Sequence, residues 1–250
     1  MDSGYYAAVT GLVARTQSLD IAATNLANSQ TPGYRAEQEF FRSALLGPDA
    51  SDSQLGRAVN NFGLLGGDHL NLRQGELEQT GNPLDLAVEG EGFFQVQTPN
   101  GLRYTRDGGF HRSTNPTSRG QLVTERGEVV LSNAGKPIQL PPGEVAVGSD
   151  GVLSVAGGVV GTVGVFTFPK GTELAPEGSN LYVAPEKTVV TLSQNASVHQ
   201  GAIESANQSG AIPGMLNLLL IQREAEMMQK ALTIFHTEFN KTASEDLPRV

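Results

Sequence analysis

The sequence has few residues whose types and spacing could support metal binding or thiol chemistry. Its four histidines are far apart in the chain and show none of the paired spacings typical of metal sites. They are His69, His111, His199 and His236. The chain contains no cysteine, which excludes a disulfide framework, thiol catalysis and Cys-based metal sites. We therefore expect no metal site.

A glycine-rich stretch begins like a dinucleotide-binding fingerprint at Gly90 and Gly92. The position of the third glycine is occupied by Gln95, and the stretch connects two runs that have the alternation of β-strands. A dinucleotide site needs a helix after this turn, because the helix N-terminus binds the phosphates. The stretch therefore predicts a turn between two strands, and we expect no cofactor.

Three carboxylates lie close together in the sequence at Asp85, Glu89 and Glu91. A pair of carboxylates across a cleft can hydrolyse a glycosidic bond, so a secreted β-rich enzyme acting on glycan is one alternative. Nothing in the sequence places these side chains in a common cleft. We interpret them as a solvated surface or as ion pairs between subunits, and we predict no catalytic residue.

The charge and hydropathy of the chain exclude two further classes of protein. With 26 acidic and 17 basic residues the net charge is −9, which disfavours binding to the phosphates of nucleic acid. No apolar run approaches the ~20 residues that a transmembrane helix needs. The first cation is Arg15 and no apolar signal core follows, so we expect export without a cleaved signal peptide.

The N-terminal segment has the period of a paired helix. From Ser3 to Asn28, apolar or small residues alternate spacings of four and three, which is the heptad repeat that keeps one helix face against a partner. The predicted assembly seam on this helix consists of Val9, Leu12, Leu19 and Leu26. An ordinary amphipathic helix on its own globular core remains the alternative.

The C-terminal segment repeats this pattern over more than three heptads. The predicted seam consists of Leu218, Ile221, Ala225, Met228, Leu232, Phe235 and Phe239. A second apolar stripe is formed by Leu219, Leu220, Met227 and Ile234. Because a helix that is paired once needs one stripe, two stripes indicate a multi-helix bundle or a packed assembly, and a buried core helix is the alternative.

The middle of the chain consists of short alternating runs separated by turn residues such as Asn100-Gly101 and Gly157-Gly158. We therefore predict an α+β fold in which the terminal helices pair into an inner coiled-coil domain and the middle forms an all-β domain of short strands. The predicted divisions are residues 1–42 for the N-terminal helix, 43–80 for an extended linker, 81–200 for the outer β domain and 201–250 for the C-terminal helix. After a break at Pro32 and Gly33, we expect one or two further helical turns over Arg35–Arg42.

Four sequence blocks resemble one known family. The first is Asn25-Leu26-Ala27-Asn28 followed by Thr31-Pro32-Gly33-Tyr34, and the others begin at Gly81, Tyr104 and Gln200. They read Gly-Asn-Pro-Leu-Asp-Leu-Ala-Val-Glu-Gly-Glu-Gly-Phe-Phe, Tyr-Thr-Arg-Asp-Gly-Gly-Phe and Gln-Gly-Ala-Ile-Glu-Ser-Ala-Asn. In this order they resemble the flagellar basal-body rod proteins, and the compact length and the opening residues most resemble the proximal members.

The resemblance implies a structural subunit without catalytic activity. Such a subunit would pass through the flagellar type III export apparatus and assemble helically into the periplasmic rod of the basal body, which transmits torque to the hook. Its partners would be further copies of itself and other proximal and distal rod subunits. A distal rod or hook-type axial protein is the alternative within the same structural class.

Overall fold

The computed structural model describes residues 2–42, 64–178, 180–208 and 210–245. The described chain is mainly β-structure with one helix at each end, so the predicted α+β class is confirmed. Of the predicted linker at 43–80, residues 43–63 lie outside the described residues. Its remainder contains two strands, the first of which begins at Leu64.

The two helices are α1, Asp2–Ala27, and α2, Ala211–Glu245. Pro213 lies in the first turn of α2, where the amide hydrogen that proline lacks would have no partner in the helix. No helix in the described ranges is both long and apolar enough to cross a membrane.

The strands are short, as the frequent turn residues predict. The strands before residue 113 are β1 Glu37–Arg42, β2 Leu64–Leu70, β3 Leu77–Gln79, β4 Leu86–Glu89, β5 Phe93–Thr98, β6 Gly101–Thr105 and β7 Phe110–Arg112. They are followed by β8 Leu122–Thr124, β9 Val129–Val130, β10 Val145–Val147, β11 Val152–Val155, β12 Gly158–Thr162 and β13 Val165–Thr167. The last strands are β14 Ala175–Pro176, β15 Tyr182–Val183, β16 Thr191–Leu192, β17 Ser197–Gln200 and β18 Ala202–Glu204.

The chain divides into two compact units that interleave along the sequence. Unit 1 contains α1, β1, most of β2, and α2. Unit 2 contains Leu70–Gln208 and also the short segment Asn28–Ala36, which connects α1 to β1. We call residues 28–36 the motif segment, because it contains the Thr-Pro-Gly-Tyr sequence.

Unit 2 is built on antiparallel strand pairs. Its largest sheet has the order β14-β15-β6-β5-β9-β8-β7, and β13 pairs with both β5 and β16. Strands β10, β11 and β12 form a separate sheet, while β17 pairs with β4 and β18 pairs with β3. The β11–β12 turn contains Ala156 at φ 49° and Gly157 at φ 82°, and two positive φ angles fit the tight hairpin that the glycine pair predicts.

The core of unit 2 is formed by the inward-facing residues of these strands. Phe94 and Phe110 meet edge to face with ring centroids 5.1 Å apart, and both are almost fully buried. A second cluster contains Phe93, Tyr104 and Tyr182. Alternation of buried and half-buried residues along strands such as β11 follows from the two-residue repeat of a strand.

The helical prediction for Arg35–Arg42 is wrong. Residues Glu37–Arg42 form the strand β1, which pairs with β2. The aromatic residues in this run favour a strand. Its partner strand, β2, begins more than 20 residues later in the sequence, so the local pattern could not reveal the pairing. The break predicted at Pro32 and Gly33 is present, and Gly33 has a positive φ of 68°.

Candidate structural site around Glu204

The motif segment is fixed in unit 2 at Gly33. Its amide donates a hydrogen bond of 2.7 Å to the carbonyl oxygen of Glu204. A Cβ atom on Gly33 would lie 2.2 Å from the amide nitrogen of Asp107 and 2.4 Å from the carbonyl carbon of Arg106. These are backbone atoms that cannot rotate away, and the φ of 68° is itself unfavourable for other residues. Only glycine fits this position.

The residues on either side of Gly33 are also held by unit 2. The Pro32 carbonyl accepts a hydrogen bond of 2.7 Å from the side-chain amide of Asn180. The Tyr34 carbonyl accepts one of 3.2 Å from the amide of Asn207, and the Tyr34 ring packs against Ala206. The backbone polar groups of this irregular segment are thus paired, as burial requires.

Arg35 is anchored in the same way, and its side chain is 0% exposed. Its amide donates to the hydroxyl of Tyr182 at 2.9 Å, and its Nη2 atom donates to Oε1 of Glu204 at 2.7 Å. The motif segment therefore brings a buried cation to a buried carboxylate that lies 169 residues further along the chain.

Glu204 is the centre of a cluster of buried charges. Its Oε1 atom also accepts a hydrogen bond of 2.6 Å from the amide of Gly75, and its Oε2 atom accepts one of 3.0 Å from Nη1 of Arg106. Arg106 in turn donates to the carbonyl oxygens of Val88 and Gly90. One carboxylate thus joins the motif segment, the loop before β3 and the end of β6, and we call this group the Glu204 node.

Burial dominates the electrostatics of the node. It lowers the pKa of Arg106 to about 10, while the charge of Glu204 acts in the opposite direction and that of Arg35 adds to the lowering. The guanidinium also lies 5.3 Å from the centre of the Phe93 ring. Removing one partner of a buried ion pair leaves an uncompensated charge, so each member of the node depends on the others.

The first part of the motif acts within unit 1. The side chain of Asn25, on α1, forms two hydrogen bonds with the backbone of Glu37 at the start of β1. The Nδ2 atom of Asn25 donates to the carbonyl oxygen at 2.8 Å, and the Oδ1 atom accepts from the amide at 2.9 Å. The amide side chain therefore pairs with β1 as a neighbouring strand would.

The two terminal helices contact each other within unit 1. Arg15 on α1 lies 3.3 Å from Glu224 on α2, and Ala22 lines the same cavity of about 300 Å³ as Asn217, so the helices are antiparallel. Among the described side chains and glycines of α1, from Val9 onward, the buried positions are all small residues, namely Gly11, Ala14, Ser18 and Ala22, which form its buried side. The predicted seam residues Val9, Leu12, Leu19 and Leu26 are half-buried at the borders of that side.

On α2, the structure separates the two predicted stripes. In the predicted seam, Ile221 and Ala225 are buried, and Leu218, Met228 and Leu232 are half-buried. The side chains of Phe235 and Phe239 lie outside the described residues. All four residues of the second stripe are exposed, with fractions from 49% for Leu219 to 63% for Ile234.

Comparison with known proteins identifies the family of the chain. A family model described as flagella basal body rod protein matches residues 6–35, and one described as flagellar hook protein FlgE/F/G D1 domain matches residues 87–155. The flagellar basal-body rod protein FlgF of Caulobacter vibrioides is 34% identical over 252 residues, with 100% of each chain covered. The chain belongs to the flagellar basal-body rod protein family.

Further rod proteins agree over most of their lengths. FlgF of Mesorhizobium japonicum is 33% identical with 90% of each chain covered. The rod protein FlgG of Buchnera aphidicola subsp. Schizaphis graminum is 30% identical, with 89% of this chain and 92% of its own covered. The two matched models include Arg35 and Arg106, whereas Glu204 lies beyond both matched regions.

The candidate acid–base residues of this rod protein have structural partners. Asp85 accepts hydrogen bonds from Thr80 and Asn82 within one turn, as the Gly-Asn-Pro-Leu-Asp sequence favours. His199 contacts Glu89 through Nε2 at 2.6 Å, and this hydrogen bond lowers the pKa of Glu89. Ser197 approaches the same nitrogen atom, so the imidazole cannot bind the carboxylate on one nitrogen and activate the hydroxyl with the other.

The structure brings two of the sequence candidates, Asp85 and His111, to one cavity. In the described part of the chain, no three His, Asp or Glu side chains are placed to hold a metal ion. The cavity, of about 520 Å³, is lined by Asp85, Asp107 and Glu125 among others. Burial, together with the neighbouring carboxylates, raises the pKa of Asp107.

Sequence reasoning did not assign roles to Glu204, Gly75, Asn180 or Tyr182. Glu204 belongs to one of the blocks that resemble the family, but the block alone gave no reason for a buried charge. One signal was present: Glu204 alternates with Ala202 on the buried face of β18, where an unpaired carboxylate would be costly. Its arginine partners lie too far away in sequence to be inferred from this pattern.

Proposed function

We propose that this chain is a structural subunit of the flagellar basal-body rod, and not an enzyme, and that the exposed apolar face of α2 joins it to neighbouring subunits. The main support for the proposal is this face, because a member of a rod protein family needs surfaces that bind neighbouring subunits. We call it the α2 face, and it consists of Ile212, Met215, Leu216, Leu219, Leu220, Met227 and Ile234.

The size and pattern of the α2 face support an interface. Its members are between 49% and 76% exposed, and Leu220, Met227 and Ile234 recur every seven residues. Exposed apolar residues grouped on one helix face, here interrupted by Arg223 and Lys230, are uncommon on a monomeric protein and typically mark a site of association. Burying one such side chain contributes about 1.5–3 kcal/mol, so a few of them suffice to hold neighbouring subunits.

The inner and outer parts of the subunit follow from the same reasoning. We infer that α1 and α2 form an inner coiled-coil domain, with the seven-residue repeat of the α2 face continuing the packing to other subunits. The small side chains Ala14, Ser18 and Ala22 lie on the buried side of α1 and allow a close approach of the α1 and α2 backbones. Unit 2 would then be the outer β domain. The seam residues remain a prediction until they are tested in the assembled rod.

The position in the rod and the route to it are further parts of the proposal. The identity to the FlgF proteins, 33–34%, is slightly higher than the 30% to the FlgG protein, which favours a proximal position. We infer export through the flagellar type III apparatus, followed by assembly with copies of itself and with other proximal and distal rod subunits in the periplasm.

Gene deletion with imaging of purified basal bodies tests the function. We expect deletion to abolish motility and to leave basal bodies without a complete rod, and we expect the wild-type chain to restore both. Rods of normal length in the deletion strain would exclude an essential axial role.

Complementation then tests the α2 face. Leu220→Glu should leave the isolated subunit folded, because this side chain is 59% exposed, but should fail to restore rods. Gln229→Glu adds the same charge at an exposed position on the opposite side of the helix and should restore them. Full complementation by Leu220→Glu would exclude the α2 face as an interface.

A further inference from the structure

The Glu204 node has an unequal number of buried charges. Arg35 and Arg106 each bind one oxygen of a single carboxylate, and the side chains of all three residues are at most 2% exposed. Glu91 also acts on Arg106, but its side chain is exposed to solvent, which screens its charge. Insertion of the motif segment therefore adds a second buried cation to an ion pair that is already balanced.

The excess charge is concentrated on Arg35. Arg106 has two carbonyl oxygens as acceptors in addition to Glu204, and one of its nitrogens, Nε, has no acceptor in the described part of the chain, whereas the hydrogen bond from the Arg35 guanidinium goes only to the carboxylate. Among the described residues, Nε and Nη1 of Arg35 form no hydrogen bond, although both atoms are out of contact with solvent. The Glu204 carboxylate already accepts from Arg35, Arg106 and the amide of Gly75, so it cannot readily supply these bonds.

Buried guanidinium hydrogens without acceptors are rare in folded proteins and call for a partner. A water molecule would supply an acceptor oxygen but would leave the net charge uncompensated. A monovalent anion supplies both the acceptor and the charge. A divalent anion such as sulfate would replace an excess of one positive charge with an excess of one negative charge, and it is larger.

We propose that Arg35 binds a small monovalent anion, which is chloride under physiological conditions, and that this anion completes the charge balance of the Glu204 node. The anion would stabilise the motif segment in unit 2. This binding site is independent of the role of the protein in the rod, and its test requires only the isolated chain.

Chloride-dependent unfolding tests the proposal. The folding equilibrium constant is measured by urea denaturation while chloride replaces gluconate at constant ionic strength. For one site, each tenfold increase in chloride above the dissociation constant should raise this constant about tenfold. Arg35→Met should abolish the dependence, whereas Arg103→Met, which removes an exposed arginine–glutamate pair, should retain it. An equilibrium constant that does not change with chloride in the wild-type chain would overturn the proposal.

Crystals of the wild-type chain grown in bromide give a second test that does not depend on a variant folding. We expect an anomalous peak within hydrogen-bonding distance of the Arg35 guanidinium. Peaks at surface positions only would identify an adventitious ion only, and a water molecule at Arg35 without a bromide peak would equally overturn the proposal.

Discussion

Replacing Glu204 with glutamine should destabilise unit 2 strongly. The Glu204→Gln side chain keeps nearly the same volume but removes the negative charge between Arg35 and Arg106, which are both buried. Loss of one partner from a buried ion pair costs about 3–5 kcal/mol, because the remaining charge is left in a low-dielectric environment. Since single domains are stable by only about 5–15 kcal/mol, this is a large fraction of the total.

Urea denaturation followed by the near-ultraviolet circular dichroism of tyrosine measures this loss. The chain has no tryptophan, and three of its five tyrosines, Tyr34, Tyr104 and Tyr182, are buried in unit 2, so most of the tyrosine signal reports on that unit. The structure of unit 1 can be followed separately by the helical signal in the far ultraviolet, because α1 and α2 both belong to it.

Glu177→Gln provides a matched control in the same unit. Glu177 also pairs with an arginine, Arg103, but its own side chain is 36% exposed. Exposed ion pairs contribute at most about 1 kcal/mol, since water solvates each charge when the other is removed. If Glu204→Gln destabilised unit 2 no more than Glu177→Gln does, the node would not have the structural importance that its geometry indicates.

Three further predictions concern neighbouring positions. Gly33→Ala should destabilise unit 2 by much more than Gly127→Ala in urea denaturation. Both glycines have positive φ, which alone costs about 1–2 kcal/mol, but a Cβ atom meets backbone only at Gly33; equal losses would contradict this. Burial raises the pKa of Asp107 in the folded protein above its ordinary value of 3.8. The unfolded chain therefore releases this proton more readily, and the wild type loses stability as the pH rises from 3.8 through the pKa of the folded protein. Asp107→Asn should therefore gain stability relative to wild type at about pH 7 and not at about pH 3, and a gain independent of pH would refute the assignment. Asn25→Ala removes two hydrogen bonds worth about 1 kcal/mol each. Hydrogen exchange should then be faster at the Glu37 amide, and unchanged protection of this amide would contradict the role of Asn25.

The parts of the fold that the sequence predicted are those with local causes. The glycine pair Gly157-Gly158 predicted a turn, and the turn lies one residue earlier, at Ala156 and Gly157. Apolar residues at heptad spacing predicted the terminal helices. The strand at Glu37–Arg42 was missed because its partner β2 lies beyond residue 63, and no local pattern specifies which strand another will pair with.

The site was predicted as a set of residues but not as an arrangement. Thr31, Pro32, Gly33 and Tyr34 were singled out by their resemblance to a family motif, and their backbone conformation was partly foreseen. The fixing of their segment to Glu204 could not be foreseen, because the contact between Arg35 and Glu204 joins residues 169 positions apart. Long-range pairing of charges depends on the tertiary structure, which residue spacing does not contain.

The central claim is that this chain is assembled in the rod through the α2 face. Because the chain has no cysteine, Leu220→Cys introduces a unique thiol that can carry a photo-crosslinker in purified basal bodies. We expect a crosslink to a rod subunit at a yield well above that of Gln229→Cys. The chain's absence from the basal bodies, or equal yields from the two positions, would contradict the claim.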